Sequence, residues 1–235
     1  MQDFIENGVN PVQLLTINKY IYTMKLLRIL LFLSFATATV TDIDGNVYET
    51  VLIGDQLWMS ENLKVTHYRN GDEIPTGLDD ASWSSTEEGA YAVYNDDPVN
   101  AEIYGNLYNW YAVDDDRGVC PDGYHAPTEN EFDELIAYLG GADIAGGKLK
   151  EAGLEHWNSP NTGATNESGF TGLPAGHRNT NNGDYIYMGF YGYFWSSTEN
   201  GSDLAWRRYL FHYSSGIARD TFGKPNGFSI RCLRD

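Results

Sequence analysis

The chain is short of positive charge, of cysteine and of familiar catalytic signatures. Its 235 residues hold 15 Lys and Arg against 33 Asp and Glu, a net charge of −18. Such a surface repels phosphate backbones and anionic lipid headgroups, which disfavours nucleic acid and an anionic membrane surface as partners. No H-E-x-x-H, G-x-S-x-G, G-x-G-x-x-G or P-loop occurs, and the histidines at 67, 125, 156, 177 and 212 are scattered. Leu-rich runs are also few, which argues against a helical bundle. What the chain has instead is aromatic: 17 Tyr, 10 Phe and 6 Trp, with 25 Gly. With 42% hydrophobic and 20% charged residues it can build a core, so a disordered acidic tail is excluded. Short strands and long loops are the expected texture.

Residues 24–38 read as an export signal. Lys25 and Arg28 form a positive n-region, Ile29 to Phe35 an apolar run, and Ala36-Thr37-Ala38 an A-x-A cleavage site. The run is too short to span a bilayer, so no membrane insertion is expected after cleavage. Residues 1–23 resemble no signal region. They are expected to be an upstream extension from too early a start, with Met24 as the true one. The mature domain is then 39–235, secreted, periplasmic or displayed at the cell surface.

Asp44-Gly45-Asn46 is hairpin chemistry between two β-rich runs. Asp42-x-Asp44 invites a calcium reading, but no acidic residue stands at the twelfth loop position, and the hairpin is the better account. Gln56 to Leu63 reads as a second strand leading into a turn, and Tyr104 to Val113 as a β run ending in Asp114-Asp115-Asp116. That acidic triplet is a solvated turn or, alternatively, a calcium site. Thr128-Glu129-Asn130-Glu131 is a capping box. The apolar face Phe132, Leu135, Ile136 and Leu139 predicts a helix stopped by Gly140-Gly141. A shorter helix is expected over Ala145–Ala152, and His125 is expected to pack at the helix entrance. Aromatic strands follow at Gly189 to Trp195, Leu204 to His212 and Phe228 to Leu233.

Cys120 and Cys232 are far apart in an exported chain, which predicts one disulfide. Its loop of about 110 residues would stabilise by roughly 4–5 kcal/mol in the chain-entropy model. The alternatives are a catalytic thiol pair or metal ligands. Cys120, however, lies in a turn sequence, Val-Cys-Pro-Asp-Gly, and no His flanks Cys232.

Seven ordered blocks then stand out. Thr41-Asp42-x-Asp44-Gly45-Asn46-x-Tyr48 leads to Gln56-x-Trp58-Met59-x-Glu61-Asn62-Leu63. Next come Tyr104-Gly105-x-Leu107-Tyr108-Asn109-Trp110 and Cys120-Pro121-x-Gly123-Tyr124-His125-x-Pro127-Thr128. Gly172-Leu173-Pro174-Ala175-Gly176-x-Arg178, Phe194-Trp195-Ser196-Ser197-Thr198-Glu199 and Gly227-Phe228-Ser229-Ile230-Arg231-Cys232 complete them. In this order they resemble the Fibrobacter succinogenes major paralogous domain, found in secreted proteins of Bacteroidetes and Fibrobacteres. The second half is also similar to the formylglycine-generating enzyme. The resemblance implies an α+β, C-type-lectin-like fold of short, mostly antiparallel strands, with one or two helices and long loops. That enzyme's paired active-site cysteines are absent, so its oxidase activity is not implied.

The expected function is a lectin-like, adhesin-type binding domain that recognises a glycan or a surface protein through C-terminal aromatic loops. Tyr and Trp give rigid contact area, while Ser, Gly and Asn give adaptable hydrogen bonds. The candidate ligand-binding residues are Arg178, Asn181, Asn182, Tyr185, Tyr187, Tyr191, Trp206, Arg207, Tyr209 and Tyr213. About half of them should be exposed, and Trp195 is assigned to the core. No cofactor is expected, calcium apart. The Asn- and Tyr-rich stretch 179–193 also resembles the variable regions that diversity-generating retroelements write onto lectin-like scaffolds. Two alternatives stand beside this reading. One is a hydrolase or modifying enzyme using Asp184, Glu199, Asp203 and His212; the other is a purely structural surface domain.

Overall fold

The Asp44-Gly45-Asn46 turn forms the hairpin its sequence implies. Gly45 takes φ 86°, and Oδ1 of Asp42 accepts the backbone N–H groups of Asp44 and Asn46 at 3.0 Å each. Oδ2 accepts the Tyr48 hydroxyl at 2.7 Å. The Asp42 carboxylate therefore serves the turn.

The computed structural model describes residues 38–235. The upstream stretch 1–23 and, apart from Ala38, the expected leader 24–38 lie outside the described residues. In chain order the strands are β1 (Thr39–Thr41), β2 (Val47–Ile53), β3 (Gln56–Met59), β4 (Tyr91–Ala92), β5 (Leu107–Tyr108), β6 (Tyr124–His125), β7 (His177–Arg178), β8 (Tyr185–Ile186), β9 (Tyr191–Glu199), β10 (Leu204–Phe211), β11 (Ile217–Gly223) and β12 (Leu233–Arg234). The helices are α1 (Asp80–Ser85), α2 (Pro98–Tyr104), α3 (Trp110–Val113), α4 (Glu129–Tyr138) and α5 (Ala142–Leu149).

This is a mixed α+β fold whose strands pair antiparallel. One sheet runs β1-β2-β3-β12-β6 and a second β11-β10-β9, with two short hairpins beside them. β12 lies between β3 and β6, so the first and last strands of the domain share a sheet. Cys120 and Cys232 precede neighbouring strands and are bonded, with Cα atoms 6.0 Å apart. The disulfide expectation holds.

α4 is the element the sequence specifies most completely. Thr128 and Glu131 form both halves of the capping box, and Phe132, Leu135, Ile136 and Leu139 are all buried against Trp58, Phe170, Phe194 and Leu210. Glu129, in the first turn, takes a two-point grip from Arg208 on β10, at 2.6 and 3.2 Å. A second core holds two interlocked tryptophans. Nε1 of Trp195 donates to the Tyr108 carbonyl at 2.8 Å, and Nε1 of Trp110 donates to the Ser196 carbonyl at 2.9 Å. Trp195 is fully buried, as assigned.

Three expectations need correction. The described residues contain five short helices rather than one or two. The run Tyr104 to Val113 is strand only at Leu107–Tyr108. Its second half is α3, because Asn109 acts as N-cap and accepts the Ala112 N–H at 3.1 Å. The second helix starts earlier than expected and ends at Leu149. Its Gly146 is required by packing, since a Cβ there would meet the Gly216 carbonyl oxygen at 1.9 Å. Among the described residues no helix is long and apolar enough to cross a membrane.

Candidate ligand-binding surface

Alternation along β9 and β10 sorts their side chains onto two faces. On one face Tyr193 stands opposite Tyr209, Tyr191 opposite Phe211 and Trp195 opposite Arg207. The other face carries Phe194, Arg208 and Leu210 into the core beneath α4.

The aromatic face is continuous. Tyr191 and Tyr193 stack at 5.5 Å with their planes 9° apart. Tyr209 lies 5.8 Å from Tyr193 and 4.9 Å from Phe211. Tyr187, held at φ 70° after β8, brings its ring 5.2 Å from Tyr191. Tyr213 closes the other side, 5.2 Å from Phe211. Tyr187 and Tyr213 are 50% and 53% exposed, while Tyr191, Tyr209 and Phe211 are half-buried. Tyr48, Tyr108 and Tyr185 give their hydroxyl protons to a carbonyl or carboxylate. Among the described residues no such acceptor takes the hydroxyls of Tyr187, Tyr191, Tyr209 or Tyr213. Flat rings whose hydroxyls no carbonyl or carboxylate holds can stack on an apolar ligand face and hydrogen-bond its rim.

Beneath the rings lie His177, Tyr193, Phe228 and Arg207. His177 is 3% exposed and its Nδ1 has no partner. Burial, with the Arg207 charge adding to it, pulls its pKa down to about 3, so the ring is neutral at pH 7. The Arg207 guanidinium lies 3.9 Å from the Phe222 ring centre and 4.6 Å from that of Tyr193.

The ten candidate residues do not form one site. Tyr187, Tyr191, Tyr209 and Tyr213 share the aromatic face, with Arg207 in its floor. Arg207 is buried, outside the exposed half of the candidates. Arg178 is buried too and serves the scaffold. It donates to the Leu78 carbonyl at 2.8 Å and the Gly183 carbonyl at 3.1 Å, and its guanidinium lies over Trp83 at 4.6 Å. Tyr185 points elsewhere, giving its hydroxyl proton to Asp96 at 2.7 Å. Asn181 and Asn182 are exposed on the β7–β8 loop. Trp206, one residue out of phase with Arg207, is on the opposite face beside Arg219, at 5.2 Å. Phe211, Phe222 and His177 belong to the face but were not among the candidates; a period-two reading of β10 from Arg207 would have found Phe211.

The alternative catalytic set does not converge. Asp184 is on the β7–β8 loop, Glu199 and Asp203 flank the β9–β10 turn, and His212 follows the far end of β10, roughly 25 Å along an extended strand. Glu199 is bound by Lys224, and His212 contacts the Ser159 carbonyl at 3.0 Å. Asp115, in the acidic triplet, pairs with Arg117 at 2.8 Å. Among the described residues the metal-ligating side chains that come together are Glu151, Glu155 and His156, with ligand atoms within 4.8 Å of one another. No sequence spacing singled them out.

The comparisons add a family. A family model described as the Fibrobacter succinogenes major domain matches residues 51–234. No curated protein and no solved structure matches the chain.

Proposed function

The chain belongs to the Fibrobacter succinogenes major domain family, and we propose that this member is a secreted or cell-surface binding domain of C-type-lectin-like architecture. It recognises a glycan or a surface protein through the aromatic face of the β9–β10–β11 sheet. The observation that carries this reading is the run of contacting rings from Tyr187 through Tyr191 and Phe211 to Tyr213. Its outer members are exposed, and among the described residues no carbonyl or carboxylate takes its hydroxyl protons. A contiguous aromatic patch on a protein surface marks a contact site more often than scattered apolar residues do.

Two further features support it. Terminal strands joined in one sheet, with a second curled antiparallel sheet, suit the lectin-like architecture. The Cys120–Cys232 bridge suits an oxidising compartment and hence export.

The test is a glycan array and a cell-surface pull-down with the purified protein, followed by Tyr187→Ala, Tyr191→Ala, Tyr209→Ala and Tyr213→Ala. Each is expected to weaken binding by about 1 kcal/mol or more with the fold intact. Binding unchanged in all four variants, with the same ligand retained, would refute the aromatic face as the contact surface.

A further inference from the structure

Six basic side chains are buried among the described residues: Lys150, Arg178, Arg207, Arg208, Lys224 and Arg231. Five have acceptors. Lys150 donates to three backbone carbonyls. Arg178 and Arg208 reach Asp80 and Glu129, Lys224 reaches Glu199, and Arg231 donates to Asn62. Arg207 differs from all of them. Its Nε and Nη1 are enclosed with no hydrogen-bond partner, and no carboxylate lies within ion-pair distance among the described residues. Asp220, its cross-strand neighbour, is exposed and does not pair with it.

A buried guanidinium without an acceptor is costly. Aromatic faces offset part of that cost through cation–π contact, and Phe222, Tyr193, Phe228 and Tyr209 lie within 5.2 Å of the charge. They supply no anion. The third nitrogen, Nη2, is not sealed in with the other two, and among the described residues only the Tyr193 hydroxyl comes near the guanidinium as a hydrogen-bonding group. Arg207 keeps 7% of its surface accessible at the base of the rings. In a chain of net charge −18, a cation under an aromatic surface with no ion-pair partner within 4 Å among the described residues is an unusual local field.

We propose that Arg207 reads an anionic group on the ligand, and that the aromatic face takes an acidic sugar unit bearing a carboxylate or a sulfate ester. This rests on the binding-surface reading above. Sugar is favoured over peptide by the geometry. A peptide recognised through its backbone needs an unpaired strand edge, whereas β10 is paired on both sides and the face offers side chains only. Stacked rings meet the C–H face of a pyranose, their hydroxyls meet its hydroxyls, and Nη2 supplies one charge-assisted hydrogen bond to the anion.

The test uses the full chain on an array of neutral, uronate-bearing and sulfate-bearing oligosaccharides. Hits are expected among the acidic members, and the chemical class of the hits separates carboxylate from sulfate. Carboxyl reduction or desulfation of a hit should weaken binding at least tenfold, about 1.4 kcal/mol. That comparison needs only the wild-type protein and stands even where a variant fails to fold. Arg207→Met should abolish the preference for the acidic form, while Arg207→Lys keeps part of it. Equal binding of acidic ligands and their neutral counterparts overturns the role of Arg207 but leaves a sugar-binding face standing. Capture of a protein ligand alone overturns the acidic-sugar inference and leaves the binding surface. No ligand on the array and none at the cell surface overturns both.

Discussion

Arg231 donates from Nη2 to the side-chain oxygen of Asn62 at 2.6 Å, joining residues 169 positions apart. Both are buried, and Nε reaches the same oxygen at 3.2 Å. Asn62 spends its amide on the Tyr104 carbonyl at 2.8 Å. One asparagine thus connects three of the seven sequence blocks, and the guanidinium also donates to the Thr171 carbonyl at 3.3 Å. Asn62→Ala leaves a buried charge short of its best acceptor and should cost about 2–3 kcal/mol. Urea unfolding measures it; a loss below about 0.5 kcal/mol would mean that water or the backbone replaces Asn62.

The disulfide spans 112 residues, which in the chain-entropy model is worth about 4–5 kcal/mol through the unfolded state. A Cys120→Ser, Cys232→Ser double variant should lose roughly that much with little change at the aromatic face. Ligand binding retained below a lowered Tm is the expected signature. Unchanged Tm would show that the bridge does not constrain the unfolded chain.

Local signals were legible and long-range ones were not. α4 could be read residue by residue because its cap and its apolar stripe are set within about eleven positions. The aromatic strands β9 and β10 could be read as strands, whereas Phe228 to Leu233 forms isolated bridges and is strand only from Leu233; the exposure of Tyr187 and Tyr213 follows their loop setting. Which side of β10 faces the ligand is a matter of phase, and phase comes from pairing with β9 and β11. Trp206 and Arg207 are adjacent in sequence yet belong to opposite faces. Arg178 looked like a surface contact because nothing near it in sequence reveals that Leu78, 100 positions away, folds over it. Tyr104 to Val113 misled because β propensity lost to the Asn109 cap. The sequence blocks proved to be scaffold: Cys120, Trp110, Trp195, Asn62 and Arg231 hold the core together, while the rings at 187, 191, 209 and 213 lie between blocks.

Lys150 ties the floor of the fold to the edge of the aromatic face. Its Nζ donates to the carbonyls of Phe211 at 2.8 Å, Ser214 at 2.9 Å and Thr162 at 3.0 Å. Lys150→Met keeps the stem but strands three carbonyls, and should cost about 2–3 kcal/mol. Phe211 and Tyr213 lose their backbone anchor at the same time. Hydrogen exchange at 211–215 should therefore quicken more than in β2, and protection unchanged at 211–215 would detach this lysine from the surface it is argued to brace.

His177 gives the protein an acid limit. Its folded pKa is drawn down to about 3 by burial first and by the Arg207 charge second, whereas an unfolded histidine titrates near 6.5. Below about pH 6.5 the unfolded chain binds a proton that the folded chain refuses. Stability from this group is therefore complete above that pH and falls towards pH 3, at most about 1.4 kcal/mol per pH unit. His125 works in the opposite sense. Its own burial opposes the charge, but hydrogen bonds to Asp235 and Glu131 outweigh it and raise the pKa, so its contribution is present at low pH and is lost as pH rises through the raised value. Subtracting the stability curve of His177→Phe from that of the wild type isolates the first effect. Phe suits the site, because the ring already lies 5.3 Å from Phe228 and 5.0 Å from Tyr193. The variant should lose less stability than the wild type between pH 6.5 and pH 4, and parallel curves over that range would mean that His177 charges in the folded state.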